Sequence, residues 1–245
     1  MKTDGLRVLV TGGASGIGLA IARRLAVANT VAIAGRDERR LAAAVAQIPT
    51  LRVYRLDVGD EDSARKVLAD VVADLGGLDV LVNSAGVMKS YSVDDPNAAE
   101  LAARDVEVNF LGTLRMTRLA LPLLRRSESP AVVLISSVVA IAAAPGYAVY
   151  SATKAAVHSL ARSLRRELSG QIPVFDVLPT WVDTEPARGI DVSKLAPDAV
   201  ADALLAGLRR DRYDVFVGQA GAVALMHRLS PALAEALVAR ASRSR

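Results

Sequence analysis

Short apolar, β-branched runs alternate along this chain with longer amphipathic stretches. The run from Leu6 to Thr11 ends in glycines, and Ile17 to Ala28 then carries apolar residues at helical spacing, which predicts strand, turn, helix. The alternation predicts further strands at Thr30 to Ala34, Leu51 to Leu56 and Leu78 to Val82, with helices near Glu38 to Gln47 and Glu61 to Leu75. A long helix from about Asn97 to Leu124 follows, then a strand from Ala131 to Ile135, a helix from about Val149 to Leu168 and a strand from Pro173 to Leu178. Pro179 to Pro197 is the one long irregular stretch, read as a functional lid or a surface loop. A helix near Asp198 to Arg210 and a seventh strand, Tyr213 to Val217, complete the alternation. Ala222 to Ala239 is apolar with a break at Pro231, which predicts two short helices folded onto the body or onto a partner. Strands joined by helices imply an α/β fold, a doubly wound parallel sheet of about seven strands with helices on both faces. At 245 residues the expectation is one domain over residues 1–245, with 222–240 a C-terminal helical extension.

Composition narrows the class. Hydrophobic residues make up 52% of the chain and aromatic ones 4%, which suits helix-on-sheet packing rather than disorder. The chain has no cysteine, which excludes disulfides and thiolate metal sites, and His158 and His227 are too isolated to suggest a metal. The net charge of +4 raises nucleic-acid binding, but most basic residues are interleaved with acids along helices. The small clusters at Arg209, Arg210 and Arg212 and at Arg240, Arg243 and Arg245 lack interleaved aromatics, so no nucleic-acid partner is expected. No apolar run approaches the ~20 residues that span a bilayer, and Met1 to Leu6 is too short and polar for a signal peptide. A cytoplasmic protein is expected.

Three stretches carry candidate chemistry. Tyr150 and Lys154 are four residues apart, so on a helix the phenol and the ammonium project from one face. A cation fixed beside a phenol favours the phenolate and lowers its pKa from near 10, which would let Tyr150 exchange protons near neutral pH. Ser137, after the apolar run Ala131 to Ile135, is placed at the carboxyl edge of the sheet, where a hydroxyl can bind the same substrate oxygen. The glycines in Thr11-Gly-Gly-Ala-Ser-Gly-Ile-Gly18 meet the needs of a dinucleotide site: Gly12 for a tight turn, Gly16 for close approach to a pyrophosphate, Gly18 for packing of helix on strand. At the end of the second strand, Gly35 stands where an acid would bind a ribose 2′-hydroxyl, and Arg36 follows with a guanidinium suited to phosphate. Asp37 is read as the cap of the next helix.

Taken together, Thr11 to Gly18, Asn83-Ser-Ala-Gly86, Asn109, Ser137 and Tyr150-x-x-x-Lys154 make the chain resemble the short-chain dehydrogenase/reductase family over residues 5–220. The resemblance implies a Rossmann-like oxidoreductase domain. It makes Tyr150 the general acid in carbonyl reduction, Ser137 the group that orients the substrate oxygen, and Lys154 the cation that lowers the Tyr150 pKa and holds the nicotinamide ribose. It gives Asn109 a water that links Lys154 to solvent. It places Asp57 on the adenine amine, Asn83, Ala85 and Gly86 along the adenosine ribose, and Ile17 over the pyrophosphate through its amide. Val182 and Thr184 meet the nicotinamide carboxamide, and Ser15 and Val58 complete the cofactor set.

The chain departs from the family pattern in two places. Thr180 stands at the usual glycine after the sixth strand, beside the bulky Trp181, and the carboxyl end carries extra helix where relatives have a glycine-rich packing segment. The resulting expectation is an NADP(H)-dependent enzyme, NAD(H) being second choice, that interconverts a ketone or aldehyde and an alcohol. The apolar stretches Val138 to Tyr147 and Trp181 to Leu195 favour a hydrophobic or modestly polar substrate over a phosphorylated one. The alternative is a catalytically silent NADP(H)-binding regulator of the same fold. A homodimer through the two long helices is expected, the family's tetramer being the other arrangement.

Overall fold

From Val8 to Thr11 every residue is buried, and the same holds for Val31–Ala34, Val80–Asn83, Ala131–Ile135 and Val174–Pro179. Strands of this kind have no solvated side, so helices must cover both faces. The computed structural model describes residues 1–188 and 192–242. Its order begins β1 (Arg7–Thr11), α1 (Gly16–Leu25), β2 (Thr30–Gly35), α2 (Glu38–Gln47), β3 (Arg52–Arg55), α3 (Glu61–Leu75) and β4 (Val80–Asn83). It continues α4 (Ala98–Val106), α5 (Gly112–Leu124), β5 (Ala131–Ile135), α6 (Ala148–Glu167), β6 (Val174–Pro179), α7 (Pro197–Arg209), β7 (Asp214–Val217), α8 (Ala220–Leu229) and α9 (Pro231–Ser242). The strands pair in parallel in the order β3-β2-β1-β4-β5-β6-β7. The order reverses between β1 and β4, and a crevice opens at the carboxyl ends of the strands at such a switch point.

Alternation along each strand sorts the core into two layers. Val8, Val10, Ile33, Val133 and Phe175 pack with Ile21, Leu41 and Leu204 of α1, α2 and α7. Leu9, Leu81, Leu134 and Val174 face the other way, against Val71, Met116 and Val157 of α3, α5 and α6. Asp37 accepts a hydrogen bond from Arg40 N (3.1 Å) and so caps α2 as expected, while Asp60 caps α3 from Asp62 N and Ser63 N. At the amino-terminal end of the sheet Asp79 is buried and bound by Arg7 Nε and Nη2 and by Ser127 Oγ. Burial alone would push its carboxyl up, but these hydrogen bonds outweigh it and the pKa falls to about 2.

Two expectations are modified. The single helix expected from Asn97 to Leu124 is interrupted by a π-turn at Glu107–Leu111. Here Thr113 Oγ1 donates to Asn109 O (2.9 Å) and Thr117 Oγ1 to Thr113 O (2.8 Å), side-chain bonds that compete with the helical ladder, and apolar periodicity does not report one inserted residue. The stretch from Pro179 to Pro197 is partly regular. A parallel bridge joins Val182 to Leu195, and a short 3-10 turn spans Glu185–Ala187. Its central residues 189–191, and Arg243 and Arg245 of the basic tail, lie outside the described residues. The C-terminal extension does break before Pro231, and it folds onto the body: Ala220, Val223, Ala234 and Val238 join Val139, Tyr147 and Leu178 in a third cluster beside the crevice. Among the described residues no helix is long and apolar enough to cross a membrane.

Candidate active site

The turn between β1 and α1 is built from glycine because backbone crowds it. Gly12 has φ +66, and a Cβ there would sit 2.7 Å from Ala85 Cα. A Cβ at Gly18 would sit 2.3 Å from Gly12 O, so only glycine lets the first turn of α1 lie on the loop. The Ser15 side chain makes no cap bond to α1, which leaves the first-turn N–H groups available to an anion. Ser15, Gly16, Ile17 and Gly18 line a cavity of about 210 Å³ that also holds Ser84, Gly86, Ser137, Tyr150, Lys154, Val182 and Thr184. A second hollow of about 170 Å³ shares Gly12, Ser15 and Gly86 with it and continues past Val58 and Ala85 to Gly35, Arg36 and Arg40. One trough therefore runs across the switch point from Arg36 to Tyr150. Its glycine cradle, uncapped helix start and terminal cations fit a dinucleotide.

The cation end has a residue that sequence reasoning missed. Arg40 lines the hollow beside the exposed Arg36 and pairs with Asp37 (3.2 Å) and with Glu185 (2.8 Å). Its place one turn into α2, on the face of the cap residue, was the available signal. Asp57 and Asn83 stand outside the trough's walls. Asp57 Oδ1 accepts from Gly59 N (2.9 Å), the turn-capping role of a strand-end aspartate. Asn83 is buried and donates from Nδ2 to Thr117 Oγ1 (3.0 Å), toward α5 rather than toward a ribose, and its Oδ1 has no partner among the described residues.

At the other end α6 carries Tyr150 and Lys154 one turn apart. Ser137 lies two residues beyond β5, where its Oγ accepts from Val139 N (3.3 Å) at the start of a 3-10 turn; it lines the same cavity as Tyr150 and acts on its phenol. The Lys154 ammonium is buried, donates to Ile135 O (2.8 Å) and stands 5.7 Å from the Tyr150 ring centroid. Burial brings its pKa down to about 8, against the pull of the Asp176 charge. The Tyr150 pKa stands above its ordinary value, not below it as expected from the Lys154 spacing. Burial pushes Tyr150 up, the nearby Asp105 adds to this, and the Ser137 hydroxyl opposes both without prevailing. Asp105 is itself buried, with its carboxyl raised by burial, and accepts from the Tyr91 hydroxyl (3.1 Å). Asn109, inside the π-turn, accepts from Val87 N (2.8 Å) and donates to Val87 O (2.9 Å) and Thr153 Oγ1 (3.2 Å). It thus clamps the loop after β4 to α6, beside Gly86, where a Cβ would stand 3.2 Å from Asn109 Oδ1 and 3.8 Å from Lys154 Nζ.

Part of the cavity wall is apolar. Val138, Val139, Trp181, Pro186 and Ala187 line it, together with Met88, which sequence reasoning passed over. Trp181 meets Tyr147 edge to face, centroids 5.7 Å apart. Thr180 lines the cavity and is tied by its amide to Val217 O (3.4 Å). Beneath the floor runs a polar chain with no sequence signal: Ser136 Oγ donates to Asp176 Oδ1, and His158 Nδ1 faces Asp176 Oδ2.

Comparison with known proteins gives the family and the fold. A family model described as short chain dehydrogenase matches residues 7–194. An uncharacterized oxidoreductase, DltE, of Bacillus subtilis is 31% identical over 226 residues, covering 88% of this chain and 89% of that protein. An uncharacterized oxidoreductase of Staphylococcus epidermidis is 34% identical over 206 residues, covering 82% and 89%. Among solved structures, a short chain dehydrogenase from Burkholderia cenocepacia in complex with NADP has a TM-score of 0.87 at 27% identity, covering 97% of this chain and 99% of that one. An actinorhodin polyketide ketoreductase variant with NADPH has a TM-score of 0.81 at 27% identity, covering 90% and 98%.

Proposed function

This chain belongs to the short-chain dehydrogenase/reductase family, and from that premise we propose that it uses NADP(H) to interconvert a ketone or aldehyde and an alcohol. The observation that carries the reading is the convergence of Ser137, Tyr150 and Lys154 on the same cavity as the glycine turn. Two relatives of this fold were solved with NADP or NADPH, which supports a nicotinamide cofactor here. Gly12, Ser15, Gly16, Ile17, Gly18, Ala85, Gly86, Val182 and Thr184 would hold it, with Arg36 and Arg40 at a 2′-phosphate. When bound, the reduced nicotinamide supplies a hydride.

Tyr150 donates the proton that the carbonyl oxygen takes up, and Ser137 holds that oxygen in line. A Tyr150 pKa raised by burial keeps the phenol protonated, the form a reductase needs before turnover. Lys154, a buried cation, stabilises the phenolate that the transfer leaves behind. The apolar side chains on the cavity wall favour an uncharged, hydrophobic substrate. The protein works as a homodimer, through α4, α5 and α6, where Val106, Leu111 and Leu114 are exposed.

The test is NADPH oxidation against a panel of apolar ketones, aldehydes and quinones, with Tyr150→Phe as control. The expected result is turnover by the wild type and a loss of about 10²–10⁴-fold in the variant with NADPH affinity retained. NADPH binding without turnover on any class would instead identify the silent regulator.

A further inference from the structure

β6 places a carboxylate where the fold asks for an apolar side chain. Val174 faces the layer of α3, α5 and α6, so two residues on Asp176 does also, and its neighbour across the ladder in β5 is Leu134 of that same apolar cluster. Asp176 has no exposed surface. Burying a charge costs several kcal/mol unless partners compensate, and a well-packed apolar residue in its place is often neutral or better for stability. The fold alone therefore gives no reason for this residue.

The compensation has a direction. One carboxylate oxygen is held by Ser136, next in the chain to Ser137, and the other by His158, one turn beyond Lys154 on α6. Lys154 itself donates to Ile135 O, the residue before Ser136. Both ends of the chain thus attach to the backbone that presents the reacting side chains. The other charges around this site are engaged elsewhere: Asp105 with Tyr91, and Asp214 of β7 with Arg165 of α6 (2.9 Å). Asp176 is left as the carboxylate whose charge acts on the Lys154 ammonium.

We propose that Asp176 is a positioning residue, the buried counter-charge of Lys154, and that through Ser136 and His158 it locks the end of β5 to α6 so that Ser137, Tyr150 and Lys154 share one geometry. The proposal rests on the reductase reading for its effect on turnover, but not for its effect on Lys154. NMR of protein labelled with ¹³C at lysine Cε follows the Lys154 ammonium directly, the resonance being assigned with Lys154→Met. In the wild type a midpoint near pH 8 is expected. In Asp176→Asn the midpoint moves down, as expected on losing an opposite charge, and Asp176→Glu restores it. The alkaline limb of kcat for carbonyl reduction moves with it, and kcat falls at least tenfold while KM changes less.

An unmoved Lys154 midpoint in Asp176→Asn overturns the proposal. Should that variant not fold, Ser136→Ala removes one tether and keeps the charge. It is expected to lower kcat severalfold at unchanged NADPH affinity, and wild-type kcat would overturn the locking role. A wild type with no turnover defeats the reductase reading and leaves the NMR titration to decide the role of Asp176.

Discussion

Replacing Lys154 with methionine should stabilise the ligand-free protein near neutral pH and remove its activity. Burial lowers the amine from 10.5 to about 8, and each tenfold change in proton affinity corresponds to about 1.4 kcal/mol. Holding the charge inside the fold therefore costs about 3 kcal/mol near pH 7. Methionine has similar length and no charge, but it leaves Ile135 O without its donor, a loss of about 1–3 kcal/mol. The net gain near pH 7 is about 1 kcal/mol. The pH dependence is the sharper outcome. Between about 8 and 10.5 the unfolded chain holds the Lys154 proton and the folded one does not, so wild-type stability rises with pH through that window. Methionine cannot titrate, so the gap between variant and wild type shrinks by about 3 kcal/mol from pH 7 to above 10 and changes sign. Urea unfolding of both proteins at the two pH values measures the gap, in which titrating groups not coupled to Lys154 cancel. A gap that does not change with pH would refute the claim that the ammonium is held at a cost.

Arg36→Ala should lower kcat/KM with NADPH by about ten- to a hundredfold, the worth of a hydrogen bond to a charged group, and leave NADH nearly unaffected; equal losses with both cofactors would make Arg36 structural. Asp79→Asn should cost about 2 kcal/mol near neutral pH, because the folded carboxyl lies at about 2 against an ordinary 3.8. That contribution is present above about pH 4 and lost as pH falls toward 2, so acid unfolding curves of variant and wild type should converge there. Light scattering should give the mass of a dimer, and Leu114→Glu, on the exposed face of α5, should give a monomer.

The alternation of short β-branched runs with amphipathic stretches was enough to place the strands and the helices between them, because both signals are local and periodic. Local spacing also exposed Tyr150 and Lys154, which share a helix, and the glycines of the first turn, whose backbone demands only glycine meets. Tertiary structure decided what depends on pairs far apart in the chain. Ser136 just beyond β5, His158 on α6 and Asp176 on β6 are far apart in the chain, and nothing periodic joins them before these elements pack. The same is true of Arg40 and Glu185. The π-turn that aims Asn109 at Val87 is one inserted residue in an otherwise regular apolar stripe. The direction of the Tyr150 pKa was beyond the sequence for a further reason. Spacing showed a cation one turn away, whereas burial depends on how much of the chain closes over the phenol, and here burial is the larger effect.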